Sequence, residues 1–135
     1  MYLKLGDDPS FKNSRIIVGV YHRTMLLAGQ VPHASLRLKA ERYARTLPKV
    51  EHIYNAITIE PPVAAVVPSQ DAWITTQIKT LLTREPLVPA NKIKVITENG
   101  VTYLMGNITH EQGDLAIKTA RQLGGVKRVV TLFNY

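Results

Sequence analysis

Ile93-Lys94-Val95-Ile96-Thr97-Glu98-Asn99-Gly100-Val101-Thr102-Tyr103-Leu104-Met105-Gly106 reads as two strands joined by a tight turn. Ile93, Val95 and Thr97 alternate on the way in, and Val101, Tyr103 and Met105 on the way out. Between them stands Asn-Gly, the pair best suited to a type I′ turn, which needs positive φ at both central residues. Downstream, Thr109-His110-Glu111-Gln112 has the form of a capping box, in which the threonine hydroxyl and the glutamine side chain each satisfy a free backbone amide. Ala116, Ala120 and Leu123 then recur at helical spacing, Gly124-Gly125 stops the helix, and Val126–Tyr135 is rich in strand formers.

The same pattern is written earlier in the chain. Ile16-Ile17-Val18-Gly19-Val20, Leu26-Leu27-Ala28-Gly29, a helical stretch and Val50–Ile59 follow one another in the same order. Gly29 matches Gly106 at an offset of 77, whereas Ala40, Ala44, Arg45, Leu47, Val50 and Ile53 match Ala116, Ala120, Arg121, Leu123, Val126 and Val129 at 76. One residue is therefore gained or lost between the second strand and the helix. The helical face of this copy is Leu36, Ala40, Tyr43, Ala44 and Leu47, ended by Pro48, with Arg37, Arg42 and Arg45 on its other side. Small alanines at the centre of both faces predict close approach of helix to sheet. Where the later copy has Asn-Gly this one has His22-Arg23-Thr24, which predicts a longer turn or one of another type. Recurrence of a whole supersecondary block implies a duplicated domain.

Between the copies, Pro61-Pro62-Val63-Ala64-Ala65-Val66-Val67-Pro68 predicts an extended, semi-rigid linker over 61–69. Ser69 and Asp71 then supply a cap and a dipole partner for a helix running to about Thr83, ended by Pro86 and Pro89. The later copy thus reads helix–strand–strand–helix–strand over 70–135. The earlier one, 1–60, begins inside its own first helix, because Leu3–Pro9 corresponds to Leu81–Pro86. Such a truncation predicts a partly uncovered apolar face, and with it self-association.

Composition narrows the chemistry. Apolar residues make up 45% of the 135, enough for real cores, yet units of this size bury only about 60% of their unfolded surface. The chain has no cysteine, which excludes disulfides, thiolate metal sites and cysteine nucleophiles. No apolar run is long enough to span a membrane as a helix. The net charge of +7 is shared by both halves and favours anionic partners. His22, His33, His52 and His110 lack metal-ligand spacing, Asp7-Asp8 before Pro9 reads as turn chemistry, and Gly124-Gly125 follows a helix rather than opening one. No catalytic constellation, metal or cofactor is expected.

Two strand–turn–strand–helix–strand units, with glycine after the second strand and Gly125-Val126-Lys127-Arg128-Val129 before the last, resemble the BON domain. Leu26-Leu27-Ala28-Gly29-Gln30, Val50-x-x-Ile53-Tyr54-Asn55 and Asp71-Ala72-Trp73-Ile74-Thr75-Thr76 carry the likeness to dual-BON outer-membrane lipoproteins. Departures fall at the His22-Arg23-Thr24 turn and at Pro48-Lys49, where glycine is usual. The resemblance implies an α+β fold of two tandem αββαβ domains, each a three-stranded mixed sheet packed on helices. It further implies a non-enzymatic periplasmic protein that binds anionic phospholipid through the opening helix of the second domain and supports outer-membrane integrity, with outer-membrane assembly proteins as further partners. The family's lipid anchor sits on a cysteine after a signal peptide, and neither is written in these residues.

The residues bear on that expectation independently. On a helical wheel, Ile74, Ile78, Leu81 and Leu82 cluster within about 100° as the buried face. Trp73, the only tryptophan, lies roughly 125° away alongside Gln77, Thr80 and Arg84, with Lys79 on the far side. An amphipathic ring beside a cation suits a headgroup–acyl boundary. Trp73, Ile74, Gln77, Thr80, Leu82 and Arg84 form the candidate lipid-contact set. Packing of Trp73 against the linker or the other domain is the competing role. Two other functions stand beside lipid binding: a protein-interaction module of the cell envelope, and nucleic-acid binding, which scattered tyrosines and the absence of a basic recognition helix disfavour.

Overall fold

A computed structural model describes residues 9–64 and 66–134; the reading of a truncated opening helix in the first copy falls on residues 1–8 and lies outside them. The chain divides into two compact units after Ala64. Both are α+β, each with a three-stranded mixed sheet.

In the first unit a 3₁₀ turn at Pro9–Phe11 precedes β1 (Arg15–Tyr21), β2 (Thr24–Val31), α1 (Ala34–Arg45) and β3 (His52–Ile59). The central strand β2 runs antiparallel to β1, with Arg15 opposite Gln30, and parallel to β3, with Thr24 opposite His52. It is buried along its whole length, as expected of a central strand. Met25, Leu27 and Val31 meet Leu36, Ala40 and Ala44 of α1 and Ile57 of β3 in one core, which Phe11 joins. Both alanines are fully buried, which is the close helix-to-sheet approach their size predicts. Buried Gln30 accepts a hydrogen bond from the Val63 amide at 3.2 Å, fastening the start of the linker to β2.

Of the two alternatives for the β1–β2 turn, a longer turn or one of another type, the structure takes the second. Tyr21 pairs with Thr24, so the turn has two residues, as in the other copy. His22 has φ of 53°, while Arg23 is not at positive φ, the sign pattern of a type II′ rather than a type I′ turn. The missing glycine is replaced by a residue type that tolerates the left-handed region better than most. The Arg23 carbonyl accepts from the amides of Glu51 and His52 at 2.8 and 3.1 Å, and its guanidinium pairs with Glu51, tying the turn to the start of β3.

Arg37, on the side of α1 away from its apolar face, donates to the carbonyls of Ile57 at 3.0 Å and Asn55 at 2.8 Å. It blunts the outer edge of β3. Asn55 in turn donates to the Arg37 carbonyl and to Glu41, which Arg45 also reaches at 3.0 Å. The Arg45 hydrogen bond, and after it that of Asn55, hold the Glu41 carboxyl below its ordinary value of 4.5. A lowered folded-state value stabilises the fold above the unfolded value and ceases to do so as pH falls through the folded one. The first unit should therefore lose up to about 1 kcal/mol as pH drops below about 4.5, and Glu41→Gln should remove that loss, as urea titrations at neutral and acid pH will show.

The second unit runs α2 (Val66–Arg84), a 3₁₀ turn at Ala90–Lys92, β4 (Ile93–Glu98), β5 (Val101–Asn107), α3 (His110–Arg121) and β6 (Arg128–Asn134). β5 is central, antiparallel to β4 and parallel to β6. Asn99 and Gly100 both have positive φ, at 50° and 78°, as the type I′ turn requires. The capping box at Thr109 and Gln112 is formed in both directions. Ile74, Ile78 and Leu82 of α2 pack with Val95, Leu104, Ala116 and Ala120.

The helix α2 starts at Val66, not at Ser69 or Asp71, so residues 66–69 belong to it and not to the linker. Pro68 falls in its first turn, where the N–H it lacks has no intrahelical acceptor and its fixed φ is already helical.

Candidate functional site

Helix α2 is fastened to its unit along one side. Besides Ile74, Ile78 and Leu82, its buried side carries Asp71, which is 4% exposed. The Asp71 carboxylate accepts from the amides of Asn99 at 2.6 Å and Gly100 at 2.8 Å, the two central residues of the β4–β5 turn. Asp71 is therefore the cap of a turn 28 residues away, and not the dipole partner its position near a helix start suggested. One turn further along, the Thr75 hydroxyl donates to Thr97 at 2.9 Å, and Thr97 and Thr102 are 3.2 Å apart. The aliphatic stem of Lys127 lies over Gly100, within 2.9–3.1 Å of where a β-carbon there would stand, and the Lys127 amide donates to the Gly100 carbonyl at 2.8 Å. In Asp-x-Trp-Ile-Thr-Thr, then, Asp71, Ile74 and Thr75 hold the helix down.

What they leave outward is Trp73, 55% exposed although it is the largest side chain of the chain. Val66 is 59% exposed and precedes Trp73 by seven residues, so the two share one face with Thr80, seven residues on. Arg84 is exposed at the end of that stripe and Gln77 is half-buried beside it. The structure thus brings Trp73, Gln77, Thr80 and Arg84 together. Ile74 and Leu82, of the candidate lipid-contact set, lie in the core at 5% and 1% exposure with Val95 and Leu104, as their place on the apolar side of the wheel requires. Val66 joins this face because the helix begins three residues before Ser69. Lys79 too is repositioned, since it lines one hollow of about 370 Å³ with Thr80 and Arg84. A wheel angle measured at the axis overlooks the reach of a long side chain.

Beside Trp73 the surface dips into an open hollow of about 490 Å³ lined by Ser69, Gln70, Ile74 and Gly124-Gly125. Gly125 has φ of 94°, and a β-carbon there would stand 3.6 Å from Ile74 Cδ1, so a side chain would partly fill the hollow. Neither Lys79 nor Arg84 is engaged by a carboxylate among the described residues. An apolar ring, a neighbouring hollow and two uncompensated cations along one helix can meet an amphipathic anionic surface. No helix among the described residues is long and apolar enough to cross a membrane, and no group of three or more histidine, aspartate or glutamate side chains among them is placed to hold a metal ion.

Comparison with known proteins accords with this architecture. The BON domain profile matches residues 4–61 and again 70–135. The outer membrane lipoprotein DolP of Haemophilus influenzae is 36% identical over 115 residues, which take in 85% of this chain and 60% of that protein. A 21 kDa hemolysin of Actinobacillus pleuropneumoniae is 38% identical over 132 residues, covering 97% of this chain and 68% of the relative. The osmotically-inducible protein Y of Escherichia coli is more distant, at 27% over 128 residues, with 93% and 64% covered. The chain spans about two thirds of the length of these relatives, or somewhat less.

Proposed function

From the premise that the chain belongs to the BON-domain family, we propose that it is a non-enzymatic envelope protein of the periplasm that docks on anionic phospholipid of the outer membrane through the outward face of α2 and so supports envelope integrity. The observation that carries the reading is the exposure of Trp73 on a helix whose other side is locked by Asp71, Thr75 and the core. Val66 and Trp73 enter the headgroup–acyl boundary, Gln77 and Thr80 remain at its polar level, and Arg84 with Lys79 meets the phosphates. The net charge of +7 adds a long-range attraction that salt weakens. Protein docking on the same stripe is the second reading, favoured by the hollow beside Trp73, which suits an apolar side chain as well as an acyl chain.

Because Trp73 is the only tryptophan, its fluorescence reads the contact directly. Emission should shift to the blue on adding phosphatidylglycerol vesicles and not on adding phosphatidylcholine vesicles. Trp73→Ala should weaken flotation with the anionic vesicles about tenfold or more, given the apolar area of the ring. Unchanged emission together with unchanged flotation of the variant sinks the lipid reading; detergent-insensitive capture of an envelope protein, lost in Trp73→Ala, replaces it with the second.

A further inference from the structure

The two units end their sheets on equivalent outer strands and treat those edges differently. In the first, the edge of β3 is occupied: Arg37 of α1 donates to the carbonyls of Asn55 and Ile57, and the Asn55 side chain donates back to the Arg37 carbonyl and to Glu41. At the repeat offset of 76, Arg37, Glu41 and Asn55 become Gly113, Ile117 and Thr131. The registers agree with that match: Asn55 lies opposite Leu27 as Thr131 does opposite Leu104, and Ile57 opposite Gly29 as Phe133 does opposite Gly106. The second unit therefore carries no guanidinium or amide to cover this edge. At the end of β6 the Asn134 carbonyl accepts from the Ile108 amide at 3.1 Å, on the β5 side. By alternation along the strand, the backbone groups of Val129 and Thr131 point the other way. Among the described residues they meet no partner there.

We propose that β6 is the surface by which two copies of this chain pair edge to edge, antiparallel, about a two-fold axis through Thr131. The strand has seven residues, Arg128–Asn134, and Thr131 is its middle one. In that register Thr131 exchanges both backbone hydrogen bonds with Thr131 of the second copy. Val129 stands opposite Phe133 on the helix-covered face, and Val130 opposite Leu132 on the other, so both faces carry apolar cross-strand pairs. Arg128 stands opposite Asn134, and no like charges meet within the strand. The contact is thus complementary to itself, as a two-fold interface must be. A foreign strand could form the same backbone bonds, but only a second copy brings this matched set of side chains with it. The equivalent pairing through β3 is closed, because Arg37 already holds its outward carbonyls. One strand edge is far smaller than a standard interface, so the pairing is weak and transient. It uses no residue of α2 and stands or falls apart from the membrane contact.

The test is dilution of the unaltered chain from millimolar to micromolar concentration, followed by amide chemical shifts and light-scattering mass. Concentration-dependent shifts are expected at Val129 and Thr131, with a mass that rises toward two copies at the upper end. Thr131→Pro removes only an outward N–H, a place where an edge strand tolerates proline, and should weaken the association about tenfold or more. Gly113→Arg, which puts an arginine where the first unit has one, should do the same. The chain has no cysteine, so Thr131→Cys is a clean probe. Across a hydrogen-bonded antiparallel pair the two Cα atoms stand about 5.5 Å apart, within disulfide range. Thr131→Cys should therefore cross-link two copies at least about tenfold faster than Tyr54→Cys on the blocked strand, a readout independent of whether Thr131→Pro or Gly113→Arg folds. A chain that stays monomeric at millimolar concentration overturns the proposal, and that is also the result if the edge accepts only foreign strands. So does association whose shifts map away from β6, or equal cross-linking by the two cysteine variants.

Discussion

Gly29→Ala should remove most of the stability of the first unit while leaving that of the second intact. A β-carbon at Gly29 would stand 1.9 Å from the Arg15 carbonyl oxygen and 2.8 Å from its carbon, and the backbone there has φ of 125°, a region side chains avoid. The obstacle is backbone at the start of β1, pinned by the pairing of Ile16 with Gly29, so neither side yields without breaking the ladder. Strained backbone of about 1–3 kcal/mol and overpacking of similar size together approach 4 kcal/mol. That is a large part of what a 60-residue unit holds, at roughly 0.1 kcal/mol per residue. Gly106 occupies the same place in the second unit, where a β-carbon would lie 2.4 Å from the Lys92 carbonyl oxygen, but without positive φ. Gly106→Ala should cost about 2 kcal/mol, the steric part alone. Unit-resolved hydrogen exchange measures both. A first unit that keeps its protection in Gly29→Ala refutes the argument.

Asp71→Ala should have the largest effect in the second unit. It removes two charge-assisted hydrogen bonds and leaves the Asn99 and Gly100 amides facing a void, at about 1–2 kcal/mol each. A loss of about 3 kcal/mol is expected in urea unfolding followed by Trp73 fluorescence, with exchange protection falling first at Asn99 and Gly100. Asp71→Asn keeps one accepting oxygen and loses the charge, and should fall between. If Ala costs less than about 0.5 kcal/mol, the carboxylate is not what closes the turn.

Local chemistry made much of this fold readable from the chain. Asn99-Gly100 fixed a hairpin, Thr109 with Gln112 fixed a helix start, and paired alanines marked where helix meets sheet, because each acts on residues within one or two turns of itself. The misreadings all involve partners far along the chain or a rule with two solutions. Asp71 looks like a helix-dipole partner from its neighbours, and only the folded hairpin shows its real acceptor role. The sequence places Arg37 only on the far side of α1 and gives no sign of its partners, the edge carbonyls of β3. Pro68 is as compatible with a helix's first turn as with a linker, and the wrong choice concealed Val66. At His22-Arg23 the sequence left two turns open, and the one realised is of another type, two residues long and made without glycine. At the site, Trp73 was legible from its angle on the wheel. The burial of Ile74 and Leu82 had also been on that wheel, as part of the face assigned to the core.

The grip of Asp71 and Thr75 on the β4–β5 hairpin has a consequence for kinetics. A helix held at its first turns by a turn 28 residues distant does not have to be recruited, straightened or ordered when it meets a surface. On the proposed reading, the entropy of forming the outward face is settled during folding, so docking would be paced by diffusion and charge and not by a conformational gate.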